Sequence, residues 1–426
     1  VAAVASWLSA ILTLLLESDK MAILPRPVQF QATRAGQQYS HNSGFMSMLV
    51  CPLVFLIMAV FWQDLSRSRM VFVDKFCIHQ TDENLKQAGI RGLAGFMRHS
   101  KRLVVLWSAP YFTRLWCAYE LASWIYLGKS DICFMPVSIA VFTAILTLGL
   151  FVHSVLTTLC EAVVGEVPLR VALPCLWLFC VLLATLARHH VNELGQLSHQ
   201  LTHFSVRGAH CFCCDAGHLD PETHEAMPCD RQLVYRALDE WFAKRSHDAK
   251  LPELSELSCL DFFDDQVRRL VYSHLSSLGA YRLSYANAVI SNSPLVWFFV
   301  SRAAYLETQA WMEWLRYALY VGSLLFAALP TGYQTVIECC GYFERVFVGC
   351  SESWLLKALS TATSAFSMFC ISGFLWLLVF LPFTYIRSPL PLMLVSVFLG
   401  VLTWFVFQGR YLHAVCRSKA LLCTNS

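Results

Sequence analysis

The chain has 426 residues, of which 57% are hydrophobic types and 14% charged, with a mean hydropathy of +0.52. Soluble domains carry about 45–50% apolar and about 25% charged residues. The composition therefore excludes disorder, collagen, coiled coil and a single soluble domain, and points to a polytopic membrane protein lying in the lipid bilayer, with polar segments between its spans. A net charge of +3 gives no case for nucleic acid as a partner.

The first sixteen residues carry no charge and read as a span truncated by the start of the sequence, which implies further sequence upstream of Val1. Further charge-poor runs near the roughly 20 residues a membrane helix needs are 45–62, 137–160, 169–187, 317–337, 364–386 and 389–408. Pro330, Thr331 and Gly332 interrupt 317–337, so a kinked or re-entrant helix is expected there. Residues 63–136 hold ten Lys/Arg and six Asp/Glu, whereas loop 161–168 holds Glu161 and Glu166 and no cation. Positive-inside bias puts 63–136 in the cytoplasm and returns 188–316 to it. Seven spans would leave the C-terminus outside, against Arg410, Arg417 and Lys419, so the span count conflicts with the rule. Several of the eighteen cysteines (Cys51, Cys160, Cys175, Cys180, Cys370) sit in apolar runs as small hydrophobes. This is not a disulfide scaffold, and its polar segments suit a reducing compartment.

Residues 70–137 alternate strand and helix patterns. Met70–Asp74 reads as a buried strand ending in an acid, Leu93–His99 as a short helix and Arg102–Ser108 as a second strand. Residues 114–128 read as an amphipathic helix and Ile132–Val137 as a third strand. Such alternation implies a parallel sheet with ligands at the carboxyl ends of its strands. Gly89, Gly92 and Gly95 lack the dinucleotide spacing and are assigned to turn and close packing.

VFVD, then about 28 residues, then LVVLWSAPYFTRLWCAYEL resembles the middle of a TIR domain. Ser108, Tyr111, Trp116, Cys117, Glu120 and Leu121 fall at the spacings of plant TIR domains. The arrangement with DKFCIHQTD and a later CDR is also similar to polytopic proteins of unicellular algae such as dinoflagellates. The resemblance implies a mainly α-helical multi-span membrane protein with an embedded, incomplete TIR-like α/β (flavodoxin-like) unit. It implies signalling or sensing by self-association through that unit, and NAD cleavage as a candidate activity. Glu120 would then be the catalytic acid beside an oxocarbenium-like transition state, with Asp74, Ser108, Tyr111 and Trp116 around the nucleotide. The structural alternative has Trp116 as core and Glu120 capping or pairing with Arg114. The rival class is a transporter or channel with a cytoplasmic accessory domain. In a flavodoxin-like sheet the first strand is central, and none precedes residue 70 convincingly. Three solutions are open: 70–74 pairs directly with 103–107, residues 27–32 fold between them, or absent sequence fills the gap. Direct pairing is the expectation for this stretch taken alone, and absent sequence filling the gap is the expectation for the native protein.

Residues 210–230 concentrate His210, Cys211, Cys213, Cys214, His218, His224 and Cys229. Cys211, Cys214, His218 and Cys229 are the candidate zinc ligands, against reduced loop cysteines or a palmitoylation site. His199 and His203 read as a solvated helix face. Asp264/Arg268 and Asp265/Arg269 read as i, i+4 pairs on an amphipathic surface helix. Cys339, Cys340 and Cys350 lie between spans, where one disulfide could form. The divisions are 1–62 (membrane hairpin), 63–136 (TIR-like unit) and 137–187 (membrane hairpin). Then follow 188–316 (second cytoplasmic, Cys/His-containing helical segment), 317–408 (two or three spans) and 409–426 (basic tail).

Overall fold

The computed structural model describes residues 1–17, 28–34, 37–43, 45–65, 70–79, 82–164, 169–219, 224–248, 259–278, 283–303, 311–348 and 353–409. Its elements are α1 (Ala2–Glu17), β1 (Val28–Arg34), β2 (Gln37–Ser43), α2 (Phe45–Leu65), α3 (Asp74–Cys77), α4 (Glu83–His99), β3 (Leu103–Trp107) and α5 (Leu115–Tyr126). Then come β4 (Ile132–Pro136), α6 (Val137–Val164), α7 (Leu169–Thr202), α8 (Phe212–Asp215), α9 (Asp230–Asp248), α10 (Cys259–Leu278), α11 (Tyr285–Ser291) and α12 (Ser293–Arg302). The last are α13 (Trp311–Ser323), α14 (Leu329–Phe343), α15 (Trp354–Tyr385) and α16 (Leu390–Trp404). The chain divides into two compact units. Unit 1 comprises Val1–Ser68, Ser138–Val191 and Arg282–His413; unit 2 joins Arg69–Val137 to Asn192–Tyr281.

Unit 1 is a helical bundle. Among the described residues, four helices are long and apolar enough to cross a membrane: Val137–Cys160, Leu173–Leu194, Trp354–Tyr385 and Leu390–Gln408. Ala2–Leu16 and Leu49–Phe61 are shorter apolar helices. Side-chain contacts set the helix directions. Ser138 Oγ lies 2.7 Å from His190 Nδ1, Arg188 Nε is 3.8 Å from Glu344 Oε2, and Ser360 donates to Glu344 at 3.0 Å. These groups share one end of the bundle. At the other end, Tyr317 donates to the Phe299 carbonyl at 2.6 Å, and Tyr320 stacks on Phe383 at 4.6 Å. The helix beginning at Trp311 therefore runs antiparallel to α15 and also to the α11–α12 pair. Residues 283–303, which the sequence groups with the polar segment 188–316, belong to this bundle, where Ala288, Leu295 and Trp297 are buried.

The interrupted run 317–337 is carried by one helical course, in which a π-helical turn, Leu324–Ala328, links α13 to α14. Pro330 has no N–H for the Phe326 carbonyl. Tyr285 Oη supplies the missing donor at 2.8 Å, Asn292 Nδ2 donates to the Leu325 carbonyl at 2.7 Å, and Thr403 Oγ1 to that of Ala327 at 3.3 Å. Asn292 also accepts from Tyr333 at 2.8 Å. The break between α11 and α12 at Asn292 thus repairs the irregularity at Pro330, as backbone buried away from water requires. Cys339 and Cys340 are free thiols on α14, and Cys350 lies outside the described residues.

Unit 2 contains a parallel two-stranded sheet, Leu103↔Ile132 through Trp107↔Pro136, with α5 as the crossover. Its core joins both sequence segments: Trp107, Leu115, Leu121 and Trp124 pack with Leu194, Phe204, Val234, Leu238, Phe263 and Val267. The helix read at 93–99 begins at Glu83, where Asp82 accepts from the Leu85 N–H at 3.0 Å. Gly89 allows α4 to approach Ile78, whose Cγ2 would stand 2.9 Å from an added Cβ; the three glycines lie within this helix, not in a turn. Gly128 takes φ +70° just past α5, where a left-handed residue ends the helix.

Two strand expectations are corrected. Residues 70–73 join no sheet; Phe76 and Cys77 donate to the Val73 carbonyl at 3.0 and 2.8 Å and turn the chain into α3. Met70 and Val71 are 99% and 72% exposed, so the apolar run is not buried, and it does not pair with 103–107. Nor do residues 27–32 fold between these segments: β1 pairs antiparallel with β2, its own neighbour.

Asn292→Leu keeps the volume but orphans the Leu325 carbonyl and the Tyr333 hydroxyl. The expected cost is about 1–2 kcal/mol, read as a lower thermal midpoint of the full chain in detergent. Tyr285→Phe, at a more exposed group, should cost less.

Candidate functional site

The site lies where the two segments of unit 2 are stitched together. A 3-10 turn, Tyr111–Thr113, leads into α5, and the chain from residue 209 onward runs beside it. His210 N–H donates to the Thr113 carbonyl at 2.6 Å, and the Leu115 N–H donates back to the His210 carbonyl at 3.0 Å. Trp116, the second residue of α5, donates from Nε1 to Asp230 Oδ2 at 3.1 Å. Its ring also meets Tyr119 edge-on at 5.7 Å.

The loop beyond His210 folds back on itself. Helix α8 carries Cys213 and Cys214; then Gly217 and His218 adopt φ of +65° and +60°. Glycine tolerates this region freely, while histidine there is uncommon. The His218 N–H reaches the Cys213 carbonyl at 2.7 Å, and the Met227 N–H reaches the His218 carbonyl at 2.8 Å. These bonds bring the return strand, and with it Cys229, to α8. Candidate ligand atoms of Cys213, Cys214, His218 and Cys229 all lie within 4.8 Å of one another, and those of Cys211, Cys213 and Asp230 form a second such group. Cys211 Sγ is 3.2 Å from Cys213 Sγ, and Cys214 Sγ is 3.8 Å from Cys229 Sγ. This cluster could hold a metal ion.

Of the four ligands chosen from sequence, the structure thus gathers Cys214, His218 and Cys229, with Cys213 as the fourth group and Cys211 against Cys213. Adjacent cysteines point to opposite faces of a strand, but in the short helix α8 they are only about 100° apart and both can face the same loop. That is why the C-x-C-C order conceals the tetrad. Desolvation, followed by hydrogen bonding to Cys229 and the nearness of Cys211 and Cys213, pushes the Cys214 thiol up to about 12. A divalent cation would invert this balance, because it binds thiolates.

The residues chosen from the TIR resemblance lie along the end of β3, the turn after it and α5, with Asp74 at the start of α3. Ser108 follows β3 half-buried, and its carbonyl accepts from the Tyr111 N–H at 2.9 Å. Tyr111 sits edge-on to Phe112 at 5.1 Å. Burial, then the nearness of Cys117 and Glu120, pushes the Tyr111 phenol upward. Glu120 is half-buried on α5, one turn beyond Trp116. Asp74 begins α3 rather than ending a strand, and the side chain lies outside the described residues. Segment 70–79 contacts α4 through Phe72, which stacks on Phe96 at 4.4 Å. His203 is exposed, and the His199 side chain lies outside the described ones.

Asp264 departs from its expected place. Asp265 pairs with Arg269 at 2.6 Å on the surface of α10, but Asp264 is 3% exposed. It accepts the Val206 N–H at 2.9 Å, while Arg268 donates to the Phe204 carbonyl at 2.8 Å. The i, i+4 spacing hides this because one residue of rotation carries Asp264 from the charged face to the core, beside Phe263 and Val267. Asp264 thereby fixes the turn at 206–208, immediately before the cysteine loop. No family model, curated protein or solved structure matches the chain.

Burial raises the Asp264 carboxyl, against the Val206 and Ser205 hydrogen bonds and Arg268, which lower it. A carboxyl raised in the folded state is a stability contribution present at low pH and lost as pH rises from its unfolded to its folded value. At neutral pH, Asp264→Asn should therefore match or exceed the parent in stability, since it keeps an acceptor and removes the buried charge. Asp264→Ala should cost about 1–3 kcal/mol by orphaning the Val206 N–H. Chemical unfolding followed from acidic to neutral pH checks both; an Asn variant as damaged as the Ala variant contradicts this account.

Proposed function

We propose that the chain is a multi-pass membrane protein that signals or senses through unit 2 by self-association, with a zinc ion as the structural staple of that unit. The carrying observation is a sheet covered on one side. Val105, Trp107, Ile132 and Phe134 are buried beneath it, whereas Val104, Leu106 and Met135 are 50%, 66% and 50% exposed on the other face. Strand β3 has one strand neighbour among the described residues. Parallel sheets occur almost only with both faces covered. The TIR resemblance supports a second copy of unit 2 as the cover.

Three cysteines and one histidine form a ligand set that suits tetrahedral zinc. Held there, zinc would tie α8 to the start of α9, and through Asp230 to Trp116 on α5. The ten Lys/Arg of residues 63–136 and the free thiols support a cytoplasmic setting. The bundle directions support an eighth crossing: α11 and α12 together run Tyr285–Arg302, about 27 Å of helix at 1.5 Å per residue. With eight crossings the basic C-terminus, which lies outside the described residues, returns to the cytoplasmic side and the charge conflict disappears. The rival reading, a transporter or channel, has the polar break at Asn292 in its favour.

Leu106→Asp should abolish self-association of the full chain in detergent without unfolding it, since Leu106 is exposed. Unchanged sedimentation would refute the sheet-face interface. In the same preparations NAD hydrolysis lost on Glu120→Gln, with association intact, would add catalysis to the reading; no turnover in the parent would leave association alone. Zinc should be recovered with the purified chain by elemental analysis. Cys213→Ser combined with Cys229→Ser should remove it and make unit 2 far more sensitive to protease. A metal-free parent of equal protease resistance contradicts the staple.

A further inference from the structure

Between the middle of α7 and the first turns of α15 runs a groove of about 510 Å³ whose lining includes Trp177, Val181, Arg188, Trp354, Lys357 and Ala362. Its two ends differ in chemistry. The mouth carries Arg188 and Lys357. Arg188 donates to Thr361 Oγ1 at 2.8 Å and to the Lys357 carbonyl, and Glu344 stands 3.8 Å away as its counter-ion. Among the described residues, one anionic group therefore faces two cations, leaving net positive charge. The mouth also contains the N-terminal turn of α15, whose backbone N–H groups and dipole favour an anion. Trp354 stands at the same level, 73% exposed, as aromatic residues do at membrane interfaces.

The depth of the groove is apolar. Trp177 meets Phe366 and Phe369 at 6.5 and 6.1 Å. Small side chains on α15, Ala358 and Ala362, leave the space between the helices open. From Trp354 to Ala362, the stretch of α15 that lines the groove, the helix rises about 12 Å. Both walls belong to helices long and apolar enough to cross a membrane. A soluble anion would use only the mouth; the apolar floor beneath it matches an acyl chain.

We infer that this groove is a binding site for an anionic phospholipid. Its phosphate rests on Lys357, Arg188 and the start of α15, and one acyl chain lies along Trp177, Val181 and Ala362. Basic pockets between membrane helices are suited to acidic headgroups, each nearby cation adding appreciably to the attraction. Glu344 holds Arg188 in place, and Lys357 supplies the surplus charge that selects an acidic lipid over a zwitterionic one.

The test uses the full chain, stripped of lipid in detergent and then equilibrated with vesicles of phosphatidylcholine doped with phosphatidylglycerol. Retained lipid is read by native mass spectrometry. The parent should retain phosphatidylglycerol preferentially. Lys357→Gln should lower that preference about fivefold, and Lys357→Arg should preserve it. Ala362→Trp, which fills the apolar floor, should reduce retention of both lipids. Equal retention in the parent and both loss variants overturns the site. Full competition by inorganic phosphate alone also overturns it, because a free anion would then suffice. Circular dichroism and the thermal midpoint of each variant separate loss of lipid from loss of fold.

Discussion

A hydrogen bond of 2.7 Å between Ser138 and His190 joins the open ends of the α6–α7 hairpin, the segment that separates the two stretches of chain from which unit 2 is built. Strand β4 ends at Pro136 and α6 begins at Val137, with no linker between them. Helix α7 continues past the hairpin to Thr202, so its last turns already belong to unit 2. The chain thus leaves an unfinished α/β unit, makes an apolar excursion and returns beside its point of departure. Only then can Gln200 reach the Ala109 carbonyl, His210 pair with Thr113, and Asp230 meet Trp116.

Within the bundle the governing constraint is satisfaction of backbone groups. Water cannot repair an irregular helix in hydrocarbon. The turn at Leu324–Ala328 frees carbonyls that three other elements serve: α11 through Tyr285, the break before α12 through Asn292, and α16 through Thr403. Pairs such as Ser323 with Ser396 at 2.6 Å and Thr331 with Thr403 at 2.9 Å hold α16 against this helix by the same means. Small polar residues are suited to such interfaces, because they let helices approach and still bond across. The irregular turn and the broken helix are therefore one structural solution.

What the sequence made legible follows from how local the cause was. Strands β3 and β4 and helix α5 emerge from short apolar runs with clear punctuation, and each found its partner nearby. The run Met70–Val73 has the same composition but no partner strand, and a strand is defined by its neighbour. Residues 285–302 escaped notice as part of the helical bundle because Ser291, Asn292, Ser293 and Pro294 divide the apolar pattern; the reason for those residues lies some forty positions away at Pro330. The cysteine loop was legible as a cluster, but the choice between Cys211 and Cys213 rests on the left-handed turn at Gly217 and His218. Asp264 shows the same limit, since a charge beside another charge reads as surface until the Val206 N–H is seen.

The contact between Trp116 and Asp230 spans 114 positions of chain. Ribosomes add roughly 5–20 residues per second, so α5 emerges on the order of ten seconds before its partner exists. During that interval Trp124, Leu115 and Leu121, which the finished fold seals completely, have no core to enter. The same interval contains the synthesis of α6 and α7, both long and apolar enough to cross a membrane. Maturation of the α/β unit is therefore coupled in time to completion of the α6–α7 hairpin: a delayed hairpin leaves a half-built, aromatic-rich surface exposed to chaperones and proteases, even when every residue of that surface is intact.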